Sequence, residues 1–467
     1  MSDGFHSLQQ ADPLCRMSAD ELATAYRKGT ISPVDVTRAC LARAEEIDPV
    51  FNAFTFLDHE GALEAAKASE ARWAEGTPLS SVDGVPATIK DIVWVKGWPA
   101  RFGSLVTSDA PLAEDAPSVR LMRDAGIVFL GQTTTPEFGW KAVTDSNAFG
   151  ITRNPHNPDM TSGGSSGGAA IAAALGSGVF HLGTDGGGSI RIPSSFCGIT
   201  GLKPTFTRVP AYPASPFGTV AHIGPMCRNA HDTAAMLRAM SGRDRRDWNQ
   251  GEGTLAALED LTTAIADSRI GYWTAPPAGK LDAEVAALVD IRMRQLEAAG
   301  AIVEPFDLPA KDLLEIFHVH WFTGAAARLA PYGPAEREKI DPGLCEIAQA
   351  GSAYDAKTLV AAQVERAEFG ARMDLALAEY GFILSPAVTV PAFGAGLEVP
   401  ADSGLKRWTE WASFSFPINL TQQPAGVVPC GKTQAGLPVG LQIIGARGQD
   451  AKVLALMAAI EGMEGGT

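Results

Sequence analysis

The sequence predicts an α/β fold, and three observations lead to that reading. Short apolar runs alternate with helical patterns from Val85 onward: Val85 to Ile89, a helix around Ser118 to Ala125, then Ile127 to Leu130. The same order returns in the second half, where Ile270 to Trp273 and Ala301 to Val303 bracket a helix with Val285, Val289, Met293 and Leu296 on one face. No internal repeat or low-complexity tract divides the 467 residues, which favours a single α/β domain, residues 1–467.

The N-terminal part reads as a helical arm, residues 1–75. Ser18 or Asp20 can cap a helix that runs through Tyr26 and stops at Gly29, and Ser32 followed by Pro33 supplies a second N-cap with proline at the first helical position. In the core, residues 80–210, Val179 to Leu182 reads as a buried strand between a small-residue helix starting after Gly168 and a glycine-rich loop. Ser241 to Thr254 is polar and turn-rich and includes Arg243-Asp244-Arg245-Arg246-Asp247, the pattern of a solvated surface loop. Gly300 ends the helix that carries Val285 to Leu296. An Ala-rich helical excursion over about residues 310–380 leads into Phe382 to Leu384, and Val439 to Ile444 is the last strand.

Hydrophobic residues make up 46% of the chain and charged residues 19%, a globular composition. A formal charge of −15 disfavours nonspecific contact with nucleic acid or an anionic membrane, because both repel a negative surface. The six cysteines form no C-x-x-C pair and have no histidine at ligand spacing, which argues against a metal site. The polar start, Met1 to His6, lacks an apolar secretory region, so the expectation is a cytoplasmic protein with reduced thiols. Gly168 to Phe180 is the most apolar stretch, and it falls short of the roughly 20 residues that span a bilayer.

The chemistry is concentrated in two glycine-flanked serines. Gly163-Gly164-Ser165-Ser166-Gly167-Gly168 is followed by Asp185-Gly186-Gly187-Gly188-Ser189-Ile190-Arg191. Glycine removes side chains that would block a substrate carbonyl and lets successive N–H groups converge on one point, which is how an oxyanion hole is built. Lys90, at the end of the apolar run Val85 to Ile89, is a candidate base. A glycine run is more often a simple tight turn, and a lysine at a strand end more often reaches solvent, as Lys96 is expected to do. The Gly163-x-Ser165-x-Gly167 pattern also matches a hydrolase nucleophile elbow, but the proline-broken stretch Arg153 to Asp159 replaces the strand that an elbow requires. No Gly-Lys-Ser/Thr ending supports a nucleotide loop.

Taken together, Gly84 to Asp91, Thr135 to Gly139, Gly163 to Gly168, Gly183 to Pro193, Gly198 to Thr205 and the late segments Asn419 to Thr421 and Gly436 to Gln442 resemble the amidase signature family, in order and across most of the chain. The resemblance implies a large mixed sheet covered by helices on both sides, an amide-hydrolysing activity, no cofactor, a small-molecule amide substrate, and room for a homodimer. It implies Ser189 as nucleophile, Ser165 as a serine relaying a proton to a buried general base, Lys90, and a cis peptide at Gly164-Ser165. The backbone N–H groups of Gly186, Gly187, Gly188 and Ser189 would form the oxyanion hole, and Gly139 and Ser165 would face the substrate. Ser166, Asp185 and Arg191 would support these groups, with Asp185 and Arg191 paired.

An amide demands such equipment because it is a poor electrophile with a poor leaving group, and each oxyanion donor is worth roughly 3 to 4 kcal/mol in the transition state. Lys90 must be neutral to accept a proton, which burial can achieve against an ordinary lysine pKa of about 10.4. His181, His222, His231, His318 and His320 are alternative bases, each more commonly a structural or surface residue. Within the family, the glutaminase-type component of a tRNA-dependent amidotransferase is the competing reading; it would carry an acidic residue where Phe414, Ser415 and Phe416 stand here. With Trp408 and Trp411 upstream, that segment suggests an apolar approach and a neutral or apolar small amide, although aromatics at such spacing more often belong to the core and Gln422-Gln423 departs from a glycine-containing version of the motif. A catalytically dead binding or scaffold protein is the third reading, and retention of Lys90, Ser165 and Ser189 argues against it.

Overall fold

The computed structural model describes residues 10–250 and 265–463. Its thirteen strands, in chain order, are β1 (Phe54–Leu57), β2 (Pro86–Lys90), β3 (Val128–Thr133), β4 (Asp145–Ser146), β5 (Gly150–Ile151), β6 (Phe180–Asp185), β7 (Thr200–Lys203), β8 (His222–Cys227), β9 (Arg269–Tyr272), β10 (Ile302–Pro305), β11 (Phe382–Pro386), β12 (Ala425–Lys432) and β13 (Pro438–Gly445). Apart from the small hairpin β4–β5, they form one eleven-stranded sheet in the order β1-β3-β2-β6-β8-β7-β12-β13-β11-β9-β10.

The sheet is mixed. β2 pairs in parallel with both β3 and β6, and β9 in parallel with β10 and β11. The middle of the sheet, from β6 through β8, β7, β12 and β13 to β11, is antiparallel throughout. Residues of β2, β3, β11 and β13 are buried along their whole length, which requires cover on both faces. Alternation along β11 supplies both: Phe382 and Leu384 join one hydrophobic cluster with helices Ala283–Ala298 and Asp450–Gly462, while Ile383 joins another with helices Leu313–Leu329 and Ala356–Tyr380.

Local signals form the helices where they were expected. Ser18 accepts from the Glu21 N–H and Glu21 returns a bond to the Ser18 N–H, a capping box that opens Ala19–Lys28, and Gly29 closes that helix in a left-handed conformation. Ser32 caps Pro33–Phe51. The N-terminal arm is not wholly helical, however. Phe54–Leu57 is a strand that pairs antiparallel with β3 and forms one edge of the main sheet. Four residues between two helices are too few to show periodicity, and the partner strand lies far along the chain.

The segment from Ser241 to Gln250 is the expected surface loop, with Arg243, Arg245 and Trp248 exposed, except at Asp247; residues 251–254 lie outside the described residues. Asp247 is buried and accepts hydrogen bonds from the Ala211 and Asn249 N–H groups, both at 2.9 Å. Its carboxylate therefore organises the turn instead of facing water. The helical excursion resolves into Leu313–Leu329, Pro334–Arg337, Pro342–Gly351 and Ala356–Tyr380.

Candidate active site

The C-terminal end of β2 delivers Lys90 to the centre of the molecule, where it is fully buried. Helix Gly167–Leu175 packs so closely on its neighbours that a Cβ at Gly168 would sit 2.4 Å from the Ala53 carbonyl oxygen and 2.5 Å from the Thr134 nitrogen. Glycine there brings the preceding turn, including the cis peptide Gly164-Ser165, against β2. As a result Lys90 Nζ lies 2.7 Å from Ser165 Oγ, 2.9 Å from Ser166 Oγ and 3.0 Å from Thr184 Oγ1.

Burial drives the Lys90 pKa well below that of an ordinary lysine, with Asp185 opposing the shift. A neutral amine has two N–H donors and one lone pair, so one of its three hydroxyl neighbours must donate to it. Ser166 Oγ donates to the Thr184 carbonyl at 3.2 Å and so meets Lys90 as an acceptor. Ser165 has the shortest contact and is suited to give its proton to Nζ.

Ser189 follows β6 in the glycine turn and shares a cavity with Ser165, Thr184, Gly186 and Gly139. Gly139 takes a left-handed conformation, and a Cβ there would lie 3.4 Å from Ser165 Oγ. The turn is held from behind by Asp185. That carboxylate accepts from Arg191 Nε and a terminal guanidinium nitrogen, both at 2.9 Å, and from Asn419 Nδ2 at 2.9 Å, all fully buried. Burial by itself would raise its pKa, but the Arg191 guanidinium and these hydrogen bonds hold it below the usual carboxylate range. Arg191 also donates to Gln442 Oε1 at 2.7 Å, to Asn419 Oδ1 at 2.6 Å and to the Ser415 carbonyl at 2.8 Å. The expected Asp185–Arg191 pair is thus the hub that ties the turn to the late segments of the chain.

One expected oxyanion donor is corrected. The Gly188 N–H donates to Asp185 Oδ1 at 2.8 Å, inside the turn, and is not available to a substrate. The N–H groups of Gly186, Gly187 and Ser189 have no hydrogen-bond partner among the described residues.

A family model described as Amidase matches residues 35–454. The chain belongs to the amidase signature family. It is similar to the A subunit of the glutamyl-tRNA(Gln) amidotransferase of Myxococcus xanthus, at 33% identity over 94% of this chain and 96% of the relative. Among solved structures it is similar to a bacterial aryl acylamidase of the amidase signature family, with TM-score 0.88, 29% identity and 96% of each chain covered. A 6-aminohexanoate cyclic dimer hydrolase solved with its substrate is also similar, with TM-score 0.86, 26% identity and 97% of each chain covered. This is an amide-hydrolysing enzyme.

In this amidase the approach to the serines is aromatic, but not through the tryptophans expected. Trp408 and Trp411 are buried in the core; Trp411 stacks on Phe196 with ring centres 5.9 Å apart. Trp408 instead backs the glycine turn, where a Cβ on Gly187 would fall 2.7 Å from its ring. The cavity walls come from Phe102, Phe138, Phe206, Tyr212, Phe217 and Trp321, with Phe217 and Trp321 stacked at 3.9 Å. Gln422 donates to the Thr219 carbonyl and Gln423 to Asp374, and neither lines this cavity. Among the described residues no helix is long and apolar enough to cross a membrane.

Sequence reasoning missed Thr184 as the third neighbour of Lys90, although its place beside Asp185 on β6 was a signal. It also missed Asp91, whose carboxylate accepts from the Arg101 and Gly103 N–H groups at 2.8 and 3.2 Å and so places Phe102 on the cavity wall. The expected histidine alternatives do not reach Lys90. His181 bonds Thr88 Oγ1 at 2.9 Å and is held neutral by burial, with its pKa pulled down to about 3. His222 lines the cavity, neutral through burial and with Nδ1 on the Val220 carbonyl at 2.8 Å, and makes no hydrogen bond to Lys90.

Proposed function

We propose that this enzyme cleaves a small, largely apolar amide through an acyl-enzyme on Ser189, with Ser165 and Lys90 completing a Ser-Ser-Lys relay. The observation that carries the proposal is the 2.7 Å contact between the buried, deprotonation-prone Lys90 amine and Ser165 Oγ, in the cavity that also holds Ser189. In this mechanism Ser189 Oγ attacks the amide carbon as its proton passes to Ser165 Oγ and the Ser165 proton passes to Nζ. The oxyanion accepts from the Gly186, Gly187 and Ser189 N–H groups. Return of the proton through Ser165 to the amide nitrogen releases the amine, and water then hydrolyses the ester along the same relay. Gly139 faces the acyl group. The enzyme acts in the cytoplasm and without a nucleic-acid partner.

The test is direct. A fluorophosphonate probe should label the isolated chain on Ser189, located by mass spectrometry, and Ser189→Ala should lose both labelling and turnover while keeping its melting temperature. An adduct on Ser165 would overturn the assignment.

The identity to the amidotransferase relative keeps a second reading in play, hydrolysis of glutamine within a complex. Against it, Phe414 and Phe416 are buried where a carboxylate would be needed, Phe416 stacking on Phe317 with ring centres 4.8 Å apart. A kcat/KM for glutamine above that for an apolar anilide would favour the second reading.

A further inference from the structure

The cavity that holds Ser165 and Ser189 contains a cation with no acceptor among the described residues. Arg328 stands in the last turn of helix Leu313–Leu329 and lines this cavity. Its guanidinium carbon lies 4.9 Å from the ring centres of both Phe102 and Phe138. Among the described residues no hydrogen bond or ion pair to Arg328 is found, and its Nε is buried without a partner.

That state is unlike the buried Arg191 and Arg366. Arg191 spends its donors on Asp185, Asn419, Gln442 and Ser415, and Arg366 donates to the Leu420 carbonyl and to Thr219. The two carboxylates in the cavity are already engaged, and neither Tyr212 nor His222 makes a hydrogen bond or ion pair to Arg328. Asp185 is committed to Arg191, Asp247 accepts two backbone N–H groups, and His222 is neutral with Nδ1 on the Val220 carbonyl at 2.8 Å.

The two rings, whose centres lie 5.9 Å apart, meet the guanidinium from one side, and such cation–π contact leaves its in-plane N–H groups unanswered. Those groups are the part which recognises a carboxylate, through two parallel charge-assisted bonds. Arginine cannot shed its proton to escape the mismatch, so an anion entering the cavity recovers the cost of a partly buried, unanswered charge. Phe138 adjoins Gly139, whose missing Cβ would lie 3.4 Å from Ser165 Oγ. One continuous wall therefore runs from the serines to Arg328.

We propose that Arg328 is a substrate-binding residue and that the preferred amides carry a carboxylate at the end remote from the scissile bond. Their apolar body lies on the aromatic wall and only the far end is charged, which revises the expectation of a wholly neutral substrate. The proposal rests on the Ser189 reading above.

The test uses the full chain and two substrate pairs. Glutaric acid mono-4-nitroanilide against pentanoyl 4-nitroanilide places the carboxylate on the acyl side; N-benzoylglycine against N-propylbenzamide places it on the amine side. For one pair, kcat/KM should favour the acid by about tenfold or more, and the pair that responds identifies the side. Arg328→Met keeps an apolar stem against the rings and should bring that ratio close to one, with Arg328→Lys in between. Calorimetry on Ser189→Ala with the same intact amides should show the acid binding more tightly, and the preference should vanish when Arg328→Met is added. Ratios near one in the wild type, or a preference that survives Arg328→Met, would sink the proposal. Normal probe labelling of Ser189 without an acid preference defeats the Arg328 proposal alone; absent labelling with the binding preference intact defeats the nucleophile assignment alone.

Discussion

Gly188 donates its N–H to Asp185 Oδ1 at 2.8 Å, closing the turn that carries Ser189 around a carboxylate anchored in turn by Arg191. The glycine turn is therefore not a free loop. Its shape is set by an ion pair whose other contacts, Asn419 and Gln442, come from the late segments of the chain.

Arg191→Met should destabilise the protein by about 3–5 kcal/mol, because it leaves the Asp185 charge buried with no cation. Denaturant unfolding measures the loss directly. A change below about 1 kcal/mol would show that the pair is dispensable to the fold.

Lys90→Met retains most of the buried stem and removes the amine, so kcat/KM should fall by at least about 10²-fold, the usual scale for losing a general base. His181→Gln and His231→Gln should keep most activity. A tolerated Lys90→Met beside a silent histidine variant would replace the relay with a histidine-based mechanism.

The pH profile has a definite sign. Lys90 acts as a base only when neutral, and burial places its pKa below the ordinary lysine value, so kcat/KM should rise with pH through a limb lying below about 10.4. That limb belongs to the coupled Lys90-Ser165-Ser189 unit and not to one residue. His222→Asn should leave its position unchanged, since burial already keeps that imidazole neutral. A limb that moves in His222→Asn would assign the titration to the histidine. In stability the same shift acts in the same direction: between the folded and unfolded lysine pKa values the unfolded chain binds more protons, so the wild type should gain stability with rising pH relative to Lys90→Met.

Gly187→Ala tests the oxyanion turn. Its new Cβ would fall 2.7 Å from the Trp408 ring and 2.9 Å from Phe317, both held in the core, so the turn must shift. Displacing one donor should lower kcat by about 10²–10³-fold. Steady-state kinetics on the folded variant, with circular dichroism as the control, decides it; near wild-type kcat would place the oxyanion elsewhere.

The features that could be read from the chain alone are those whose physics is local. Ser18, Gly29 and Ser32 mark helix ends because a cap bonds within a few residues of itself. The runs ending at Lys90 and Leu182 announce buried strands by their composition, and the glycines around Ser165 and Ser189 announce close backbone approach. What stayed hidden depends on segments far apart in sequence. β1 becomes an edge strand only because β3 offers it a partner, and β7, β8 and β12 fill the antiparallel middle of the sheet through pairings that no single stretch encodes. Gly188 looked equivalent to its glycine neighbours until the Asp185 side chain folded back onto it. Trp408 and Trp411 had the spacing of a pocket wall, yet packing against Phe317 and Phe196 drew both into the core. Arg328 gave no sign at all in a helix of ordinary composition; its lack of an acceptor among the described residues, and its place in the cavity that holds the serines, arise only when Phe102 and Phe138 pack against it, because burial and charge pairing are properties of the assembled surfaces and not of the residue.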